Sequence, residues 1–184
     1  MRLAISRLLT LAAGLMLAAV PAAAQRPAAH FHLTSSDLEP GGTIPARHVF
    51  NGMGCSGQNV SPALQWSGAP AGTKSFAVTV YDPDAPTGSG WWHWVLYDIP
   101  ANVTSLPRGA TGVGTEGTTD FGAKGYGGPC PPPGDAPHHY VFTVYALKTD
   151  HIDVPANATA AMVGFNLHAN QLAKATLTAR YGRK

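Results

Sequence analysis

Acidic, aromatic and imidazole side chains are concentrated in one short segment, residues 81–94 (YDPDAPTGSGWWHW). Only 12% of the residues in the chain are charged, so this grouping stands out. Two acids, Asp82 and Asp84, lie beside prolines, and one histidine, His93, lies among three tryptophans. A carboxylate next to an imidazole can orient the ring and stabilise its protonated form, which favours anion binding or proton transfer.

A second pair of histidines, His138 and His139, begins another apolar stretch. Neighbouring side chains of an extended chain point to opposite faces, so at most one of the pair can line a given pocket. His138 is in phase with Tyr140 and Phe142, which predicts that His138 points inward and His139 outward. This arrangement argues against a metal site that uses both histidines.

The same parity argument places the other candidates at the ends of core strands. Asp82 continues the apolar row of the strand before it, and His93 is in phase with Val95 and Tyr97. A carboxylate at the end of an apolar row needs a partner, because burying it unpaired is costly. We therefore predict that Asp82, His93 and His138 lie at one end of a β scaffold, where loops often carry binding sites.

Each of these residues also has a structural interpretation. The three tryptophans are more often core or loop anchors than ligand platforms, and the two aspartates beside prolines are typical of turn caps. A zinc site stays open as an alternative, although no closely spaced ligand motif supports it. Its ligands would be Asp82, Asp84, His93 and His138.

Two glycine-containing motifs are weaker candidates. Residues 54–57 (GCSG) place Cys55 between glycines, but they lack the G-x-S-x-G pattern and strand-turn-helix context of a nucleophile elbow. Residues 125–135 (GYGGPCPPPGD) have the glycines of an anion-binding loop. Prolines donate no N–H, so a rigid wall is the favoured interpretation of this segment.

Period-two alternation of apolar residues dominates the chain and predicts strands. The longest candidates cover residues 74–81, 93–99 and 139–147, and the shorter ones cover 31–33, 46–50, 63–66 and 175–181. Residues 157–174 have three- and four-residue spacing instead, which predicts an amphipathic helix. Its apolar face would carry Met162, Phe165, Ala169 and Leu172. The sequence thus predicts one mainly β domain with a late amphipathic helix.

The start of the chain has the features of a secretory signal. Arg2 and Arg7 precede an apolar run that ends in small residues, so residues 1–24 are predicted to be a signal peptide and residues 25–184 a single domain. A retained N-terminal anchor is the alternative. Removing these two arginines from the 12 basic residues leaves as many basic residues as the 10 acidic ones. This neutrality argues against nucleic acid or an anionic membrane as an electrostatic partner.

The chain has two cysteines, Cys55 and Cys130. In an exported protein an even number of cysteines favours one disulfide over two free thiols. Bridging them would close a loop of roughly 75 residues, which contributes about 4.5 kcal/mol on the chain-entropy model.

Three motifs resemble the phosphatidylethanolamine-binding proteins, in particular their bacterial branch, the Raf kinase inhibitor-like proteins. They are DPDAP at residues 82–86, WWH at 91–93 and PPPGDAPHHY at 131–140. Residues 55–66, 119–132 and 161–179 are also similar to that branch, so the likeness covers nearly all of the predicted domain. The resemblance implies a β-sandwich-like fold with peripheral helices and a small pocket near one end that accepts phosphate-like groups, including phospholipid head groups.

The resemblance assigns pocket positions to Asp82, His93, His138 and Tyr140, and pocket walls to Pro86, Trp91 and the neighbourhood of Cys130. With Asp84, the second acid of the motif, these side chains form the predicted ligand-binding set. The chain departs from the family in two places. His139 replaces the arginine usual between the histidine and the tyrosine, and the sequence lacks the additional C-terminal helix of the eukaryotic members. A more open site is therefore expected, and lipid specificity cannot be transferred.

We expect a periplasmic or secreted binding protein without catalytic residues, cofactor or metal. Its partner would be an anionic small molecule or a phospholipid head group, and it would act as a regulator or inhibitor of a protein partner. Nucleic acid is not expected, and neither is a transmembrane segment after removal of the signal. Two alternatives stay open. One is a hydrolase that uses a pocket histidine as general base, and the other is an interaction module with a vestigial pocket.

Overall fold

The computed structural model describes residues 30–183. The strands in this part of the chain are β1 (His32–Thr34), β2 (Asn51–Gly52), β3 (Cys55–Ser56), β4 (Leu64–Ser67), β5 (Ser75–Asp82), β6 (Trp91–Pro100), β7 (Ser105–Leu106), β8 (Thr115–Glu116), β9 (His138–Leu147) and β10 (Gln171–Tyr181). One helix, α1 (Ala160–Asn170), lies between β9 and β10. The predicted signal peptide lies outside the described residues. From residue 30 to residue 183, no helix has the length and hydropathy needed to cross a membrane.

Two sheets pack face to face and confirm the mainly β prediction. Five antiparallel strands form the larger sheet in the order β10–β9–β5–β6–β8, and β1, β4 and β7 form the smaller one. Between them lies the main hydrophobic core, in which Trp66 of β4 packs edge-on against Phe76 of β5 with ring centroids 5.4 Å apart. The central strand β5 is covered on both faces, and all of its residues except Tyr81 are buried.

Helix α1 covers the other face of the larger sheet but is shorter than the predicted span of 157–174. Thr159 is its N-cap, and the Thr159 hydroxyl accepts a hydrogen bond from the backbone N–H of Met162 at 3.2 Å. The helix ends at Asn170, and the chain continues directly into β10 at Gln171. The last residues of the predicted helix therefore belong to an edge strand.

The predicted apolar face of the helix is wrong. Met162, Phe165, Ala169 and Leu172 are all exposed, with Phe165 at 73%. The buried side chains are Ala160, Val163 and Leu167. Small residues let the helix lie close to the sheet, because a Cβ at Gly164 would lie only 3.1 Å from the Trp92 ring. Both faces of α1 carry apolar residues, so spacing alone did not identify the packed one.

The predicted strand at residues 46–50 is also wrong. Pro45 precedes a 3-10 turn, Ala46–His48, instead. The imidazole of His48 is buried, and its Nδ1 donates to the carbonyl of Val60 at 2.6 Å. Pro45 is extended and ends the preceding segment, and its carbonyl accepts from the N–H of His48 at 2.9 Å, which closes the turn.

A β-bulge in β6 positions the histidine of the WWH motif. Val80 pairs with Trp94 and Tyr81 with Trp92, which leaves His93 as the extra residue. A bulge places two successive side chains on one side of the sheet. His93 therefore lies on the same side as Trp94, and its predicted phase with Val95 and Tyr97, which pack under α1, is wrong.

The predicted disulfide is present. Cys55 and Cys130 are bonded, with their Cα atoms 6.0 Å apart. The bond joins β3 to the proline-rich loop before β9. It therefore links two loops that contribute to the same end of the sandwich.

Candidate functional site

The carboxylate of Asp82 lies at the floor of the candidate site and is only 2% exposed. Its Oδ1 accepts from the backbone N–H groups of Asp84 and Ala85, at 2.8 and 3.1 Å. Its Oδ2 accepts from Nδ1 of His138 at 2.8 Å. Both oxygens of this acid therefore have donors, which removes most of the cost of burying it. One oxygen shapes the DPDAP loop and the other orients an imidazole.

His138 lies between two carboxylates. Its Nδ1 donates to Asp82, and its Nε2 is 3.4 Å from Oδ2 of Asp135. Burial lowers the pKa of His138, but the hydrogen bond and negative charge of Asp82, together with Asp135, outweigh burial and raise the pKa above its ordinary value. The ring is therefore poised to carry a positive charge near neutral pH.

His93 is held in the opposite electrostatic state. Its Nδ1 lies 2.8 Å from the carbonyl oxygen of Gly127 and 3.2 Å from that of Gly128. Carbonyls only accept, so this nitrogen carries the proton. Burial lowers the pKa of His93 below its ordinary value, so the neutral ring presents an unprotonated Nε2. That nitrogen is 4.0 Å from Oδ2 of Asp82, beyond hydrogen-bond range.

Two buried polar atoms at the site lack partners among residues 30–183. They are Oη of Tyr140 and Nε1 of Trp91. Burial, reinforced by the charge and the nearness of the Asp82 carboxylate, raises the pKa of Tyr140. That carboxylate does not meet the geometry of a hydrogen bond with Oη, so the hydroxyl keeps the proton and remains a donor. Buried donors without acceptors are rare in folded proteins because each one costs free energy. Their presence at one place indicates that a ligand or water supplies acceptors.

These groups surround a cavity of about 330 Å³. Most of its wall is apolar. The lining residues are Met53, Asp82, Ala85, Pro86, Thr87, Trp91, His93, Phe121, Cys130, Pro131, Pro132, Pro133, His138, Tyr140 and Arg183. An apolar wall with a few convergent polar groups is typical of a small-molecule site.

Asp84 is the predicted site residue that the structure does not place in the cavity wall; the other six line it. The Asp84 Oδ2 accepts from both the backbone N–H and Nδ1 of His139, each at 2.7 Å. The backbone hydrogen bond from His139 is the main cause that lowers the pKa of Asp84. The side chain of His139 is 39% exposed whereas that of His138 is 4% exposed, so the predicted inward and outward orientations are confirmed.

The sequence analysis did not name five of the lining residues, Met53, Ala85, Thr87, Phe121 and Arg183. Ala85 and Thr87 lie in or directly after the DPDAP motif. Phe121 packs edge-on against Trp91 and His93, with ring centroids 5.4 and 5.3 Å apart. Met53 and Arg183 reach the cavity from loops far away in the sequence. Phe121 lies in a segment that resembles the family, and this resemblance could have identified it. No local sequence pattern identifies Met53 or Arg183 as lining residues.

The weaker motifs have structural roles. Cys55 is in the disulfide, so its thiol is not available as a nucleophile. The proline-rich segment forms a wall of the cavity, and the carbonyls of Gly127 and Gly128 face His93. Within the described residues, no group of three or more histidine, cysteine or acidic side chains has a metal-binding arrangement.

Comparison with known proteins identifies one family. The family model described as phosphatidylethanolamine-binding protein matches residues 34–182. Among curated proteins, YbcL of Escherichia coli strain K12 is 53% identical over 180 residues, covering 94% of this chain and 97% of the relative. YbhB of the same strain is 54% identical over 157 residues, covering 81% of this chain and 98% of the relative.

Solved structures agree with the sequence matches. The crystal structure of Escherichia coli YbcL, described as a new member of the mammalian PEBP family, superposes with a TM-score of 0.81 at 53% identity. It covers 84% of this chain and 99% of the solved chain. A phosphatidylethanolamine-binding protein homologue from Chlamydia trachomatis has a TM-score of 0.74 at 31% identity, with coverages of 85% and 99%.

Proposed function

The chain belongs to the phosphatidylethanolamine-binding protein family, and on that premise we propose that it is a non-catalytic binding protein whose cavity holds a small phosphate-like anion. The observation that carries the proposal is the pair of unpartnered donors, Oη of Tyr140 and Nε1 of Trp91. Both belong to residues that line the cavity. A tetrahedral oxyanion offers acceptors for both donors at once.

The two histidines add a charge-dependent contribution. His138 is poised to be protonated. Its Nδ1 is held by Asp82, so the nitrogen that donates a charge-assisted hydrogen bond to an oxyanion is Nε2, with the oxyanion taking the place of the more distant Asp135 carboxylate. His93 presents a bare Nε2, which accepts from a protonated ligand oxygen or donates after taking up a proton itself. An anion therefore favours the protonated forms, so binding strengthens as pH falls through the pKa of each histidine.

The negative charge of Asp82 at the floor of the cavity does not oppose anion binding. Both oxygens of Asp82 are already engaged by donors. Its charge acts on the ligand mainly through His138, whose ring it orients and keeps protonated. We therefore assign Asp82 to positioning and not to direct contact with the anion.

The hydroxyl and sulfur groups in the cavity wall support binding over catalysis. The hydroxyl of Thr87 donates to the carbonyl of Gly90 at 2.5 Å, and Cys130 is in the disulfide. Tyr140 is the other lining hydroxyl, and its raised pKa makes it a poor nucleophile. A hydrolase would require an activated nucleophile or a positioned water.

The disulfide supports export to an oxidising compartment, as proposed from the sequence. Regulation or inhibition of a protein partner stays a prediction. The ligand would be either a free phosphate compound or the head group of a phospholipid, since both present the same oxyanion.

Calorimetric titration at pH 6 tests the proposal with inorganic phosphate, phosphoethanolamine and phosphatidylethanolamine vesicles. The variants are His138→Ala and Tyr140→Phe, with His139→Ala as the matched control because that neighbouring side chain faces outward. We expect saturable binding by the unmodified protein and by the control, and roughly tenfold weaker binding or more by the two cavity variants.

The three ligands distinguish the source of the oxyanion. Binding of phosphate and phosphoethanolamine without vesicles indicates a soluble ligand, and binding to vesicles indicates a lipid head group. Absence of binding to all three by a folded, disulfide-bonded protein would overturn the proposal. Equal losses in His138→Ala and His139→Ala would show that the cavity is not the site.

A further inference from the structure

Arg183 brings a permanent positive charge to the cavity wall. Its Nε donates to the carbonyl of Pro131 at 2.5 Å, and its own carbonyl accepts from the N–H of Gly134 at 3.4 Å. A Cβ built at Gly54 would lie 3.1 Å from Nη1. The guanidinium is therefore held between the two loops that the disulfide joins.

Two guanidinium nitrogens of Arg183 have hydrogen-bond donors that are not used within the described residues. Within residues 30–183, no carboxylate lies within 4.0 Å of its guanidinium nitrogens, and no hydrogen bond is made by Nη1 or Nη2. A planar guanidinium with two free amino groups can bind an oxyanion in a bidentate manner. A guanidinium, unlike an imidazole, is not deprotonated in proteins.

The other charged groups at or beside the cavity are one histidine and two carboxylates. A protonated His138 lies 2.8 Å from the carboxylate of Asp82 and 3.4 Å from that of Asp135. Burial lowers the pKa of His93, so this ring is neutral at pH 7. Arg183 is the remaining charged group in the lining, and within residues 30–183 no carboxylate pairs with it, so its positive charge is open to a ligand.

We propose that Arg183 is the specificity-determining residue of the cavity, and that it selects phosphate ligands without a cationic group over ammonium-bearing ligands such as phosphoethanolamine. The inference rests on the proposed anion-binding function and deepens it. The unpaired guanidinium attracts the phosphate group of either ligand but repels an ammonium group held in the same small cavity. The preferred class is therefore a phosphate group that carries no ammonium group.

A structural clamp is the competing role for Arg183, because its Nε bond ties the segment after β10 to the proline-rich wall. Two substitutions separate charge from clamp. Arg183→Gln removes the charge, whereas Arg183→Lys keeps the charge and loses the Nε bond. Arg180→Gln is the matched control, since Arg180 is an exposed arginine of β10 that does not line the cavity.

The test is calorimetric titration with inorganic phosphate and with phosphoethanolamine at pH 7.5 and low salt. We expect phosphate to bind Arg183→Gln roughly tenfold more weakly, the loss typical of one charge-assisted contact. Phosphoethanolamine should lose less, so the ratio of the two dissociation constants narrows. Arg183→Lys keeps the charge but not the bidentate contact, so it should lose less phosphate affinity than Arg183→Gln, and Arg180→Gln should lose none.

Each outcome bears on one proposal. Undiminished phosphate binding by Arg183→Gln would overturn the role of Arg183 and leave the anion-binding function standing. Equal losses in Arg183→Gln and Arg183→Lys, with unchanged thermal unfolding, would assign the residue to the clamp and overturn charge selection. If the unmodified protein binds neither ligand, the proposed function itself fails.

Discussion

Replacing Asp82 with asparagine should destabilise the protein in a strongly pH-dependent manner. The asparagine oxygen can still accept from the backbone N–H groups of Asp84 and Ala85, as Oδ1 of the acid does. Its amide nitrogen, however, would face Nδ1 of His138, which now donates to the carboxylate at 2.8 Å. Two donors would then oppose each other wherever His138 is protonated.

The size of the effect follows from the chemistry of this pair. A hydrogen bond to a charged group contributes about 1.5–3 kcal/mol, and an uncompensated buried charge costs about 3–5 kcal/mol. The pKa of His138 is raised in the folded state. Its contribution is therefore fully present below the ordinary histidine pKa and is lost as pH rises through the folded value. Above that value, a neutral His138 can change tautomer and accept from the asparagine amide.

We therefore expect Asp82→Asn to lower the free energy of unfolding by about 3 kcal/mol at pH 6 and by less than about 1 kcal/mol at pH 9. Urea unfolding at both pH values measures this difference. Asp84→Asn is the matched control, because its partner His139 is well exposed and exposed pairs contribute about 1 kcal/mol or less. Equal losses at the two pH values, or a loss at pH 6 no larger than that of the control, would refute the assignment of a charged His138 bound to Asp82.

Three further predictions test the site and the fold. Sulfate keeps its charge between pH 5 and pH 8, so calorimetry should show its affinity rising continuously as pH falls and the cavity histidines become protonated; a flat profile would exclude them. Replacing Cys55 and Cys130 with serine should lower the free energy of unfolding by up to about 4.5 kcal/mol. It should also weaken phosphate binding, since the bond joins two segments beside the cavity. Unchanged phosphate binding would show that these segments keep their positions without the disulfide. Urea unfolding should show that Leu167→Ala lowers the free energy of unfolding by about 2–5 kcal/mol and Phe165→Ser by less than about 0.5 kcal/mol. The reverse order would contradict the packing of α1.

Alternation predicted the larger sheet well because β5 and β9 are regular. Their inward residues, such as Val80 and Phe142, are fully buried at the positions that parity gives. Alternation also predicted correctly that Asp82 and His138 point inward, since each continues the regular row of inward residues at the end of its strand. Long strands buried against a core leave a strong pattern, and register is well specified there.

The same reasoning failed at His93 because a bulge is not visible as a break in the pattern. Both faces of β6 are apolar, so a shift of one residue leaves the sequence looking unchanged. The inward position of His93 came correctly from the resemblance to the family and incorrectly from the phase with Val95. A strand that is covered on both sides carries little information about which side chain faces which layer.

The residues that no pattern marks are those that reach the cavity from distant loops. Met53 and Arg183 lie far apart in sequence, and long-range packing alone brings them to the same wall. An isolated arginine after a strand has no periodicity, spacing or motif by which to be recognised. The disulfide was a sequence signal for the surroundings of Met53, because it fixes β3, which follows Met53, to the loop before β9.

A buried carboxylate at the floor of the cavity is compatible with anion binding only if nearby groups neutralise its charge. Asp82 meets this condition with two backbone donors and the imidazole of His138, whose protonated form it favours. With His138 protonated the pair is neutral, so the floor gives orientation and donors but no net attraction. The attraction must come from a group outside the pair, and a preference for phosphate over ammonium-bearing phosphoethanolamine should therefore disappear with the charge of Arg183 while the donors Tyr140 and Trp91 still support weak binding.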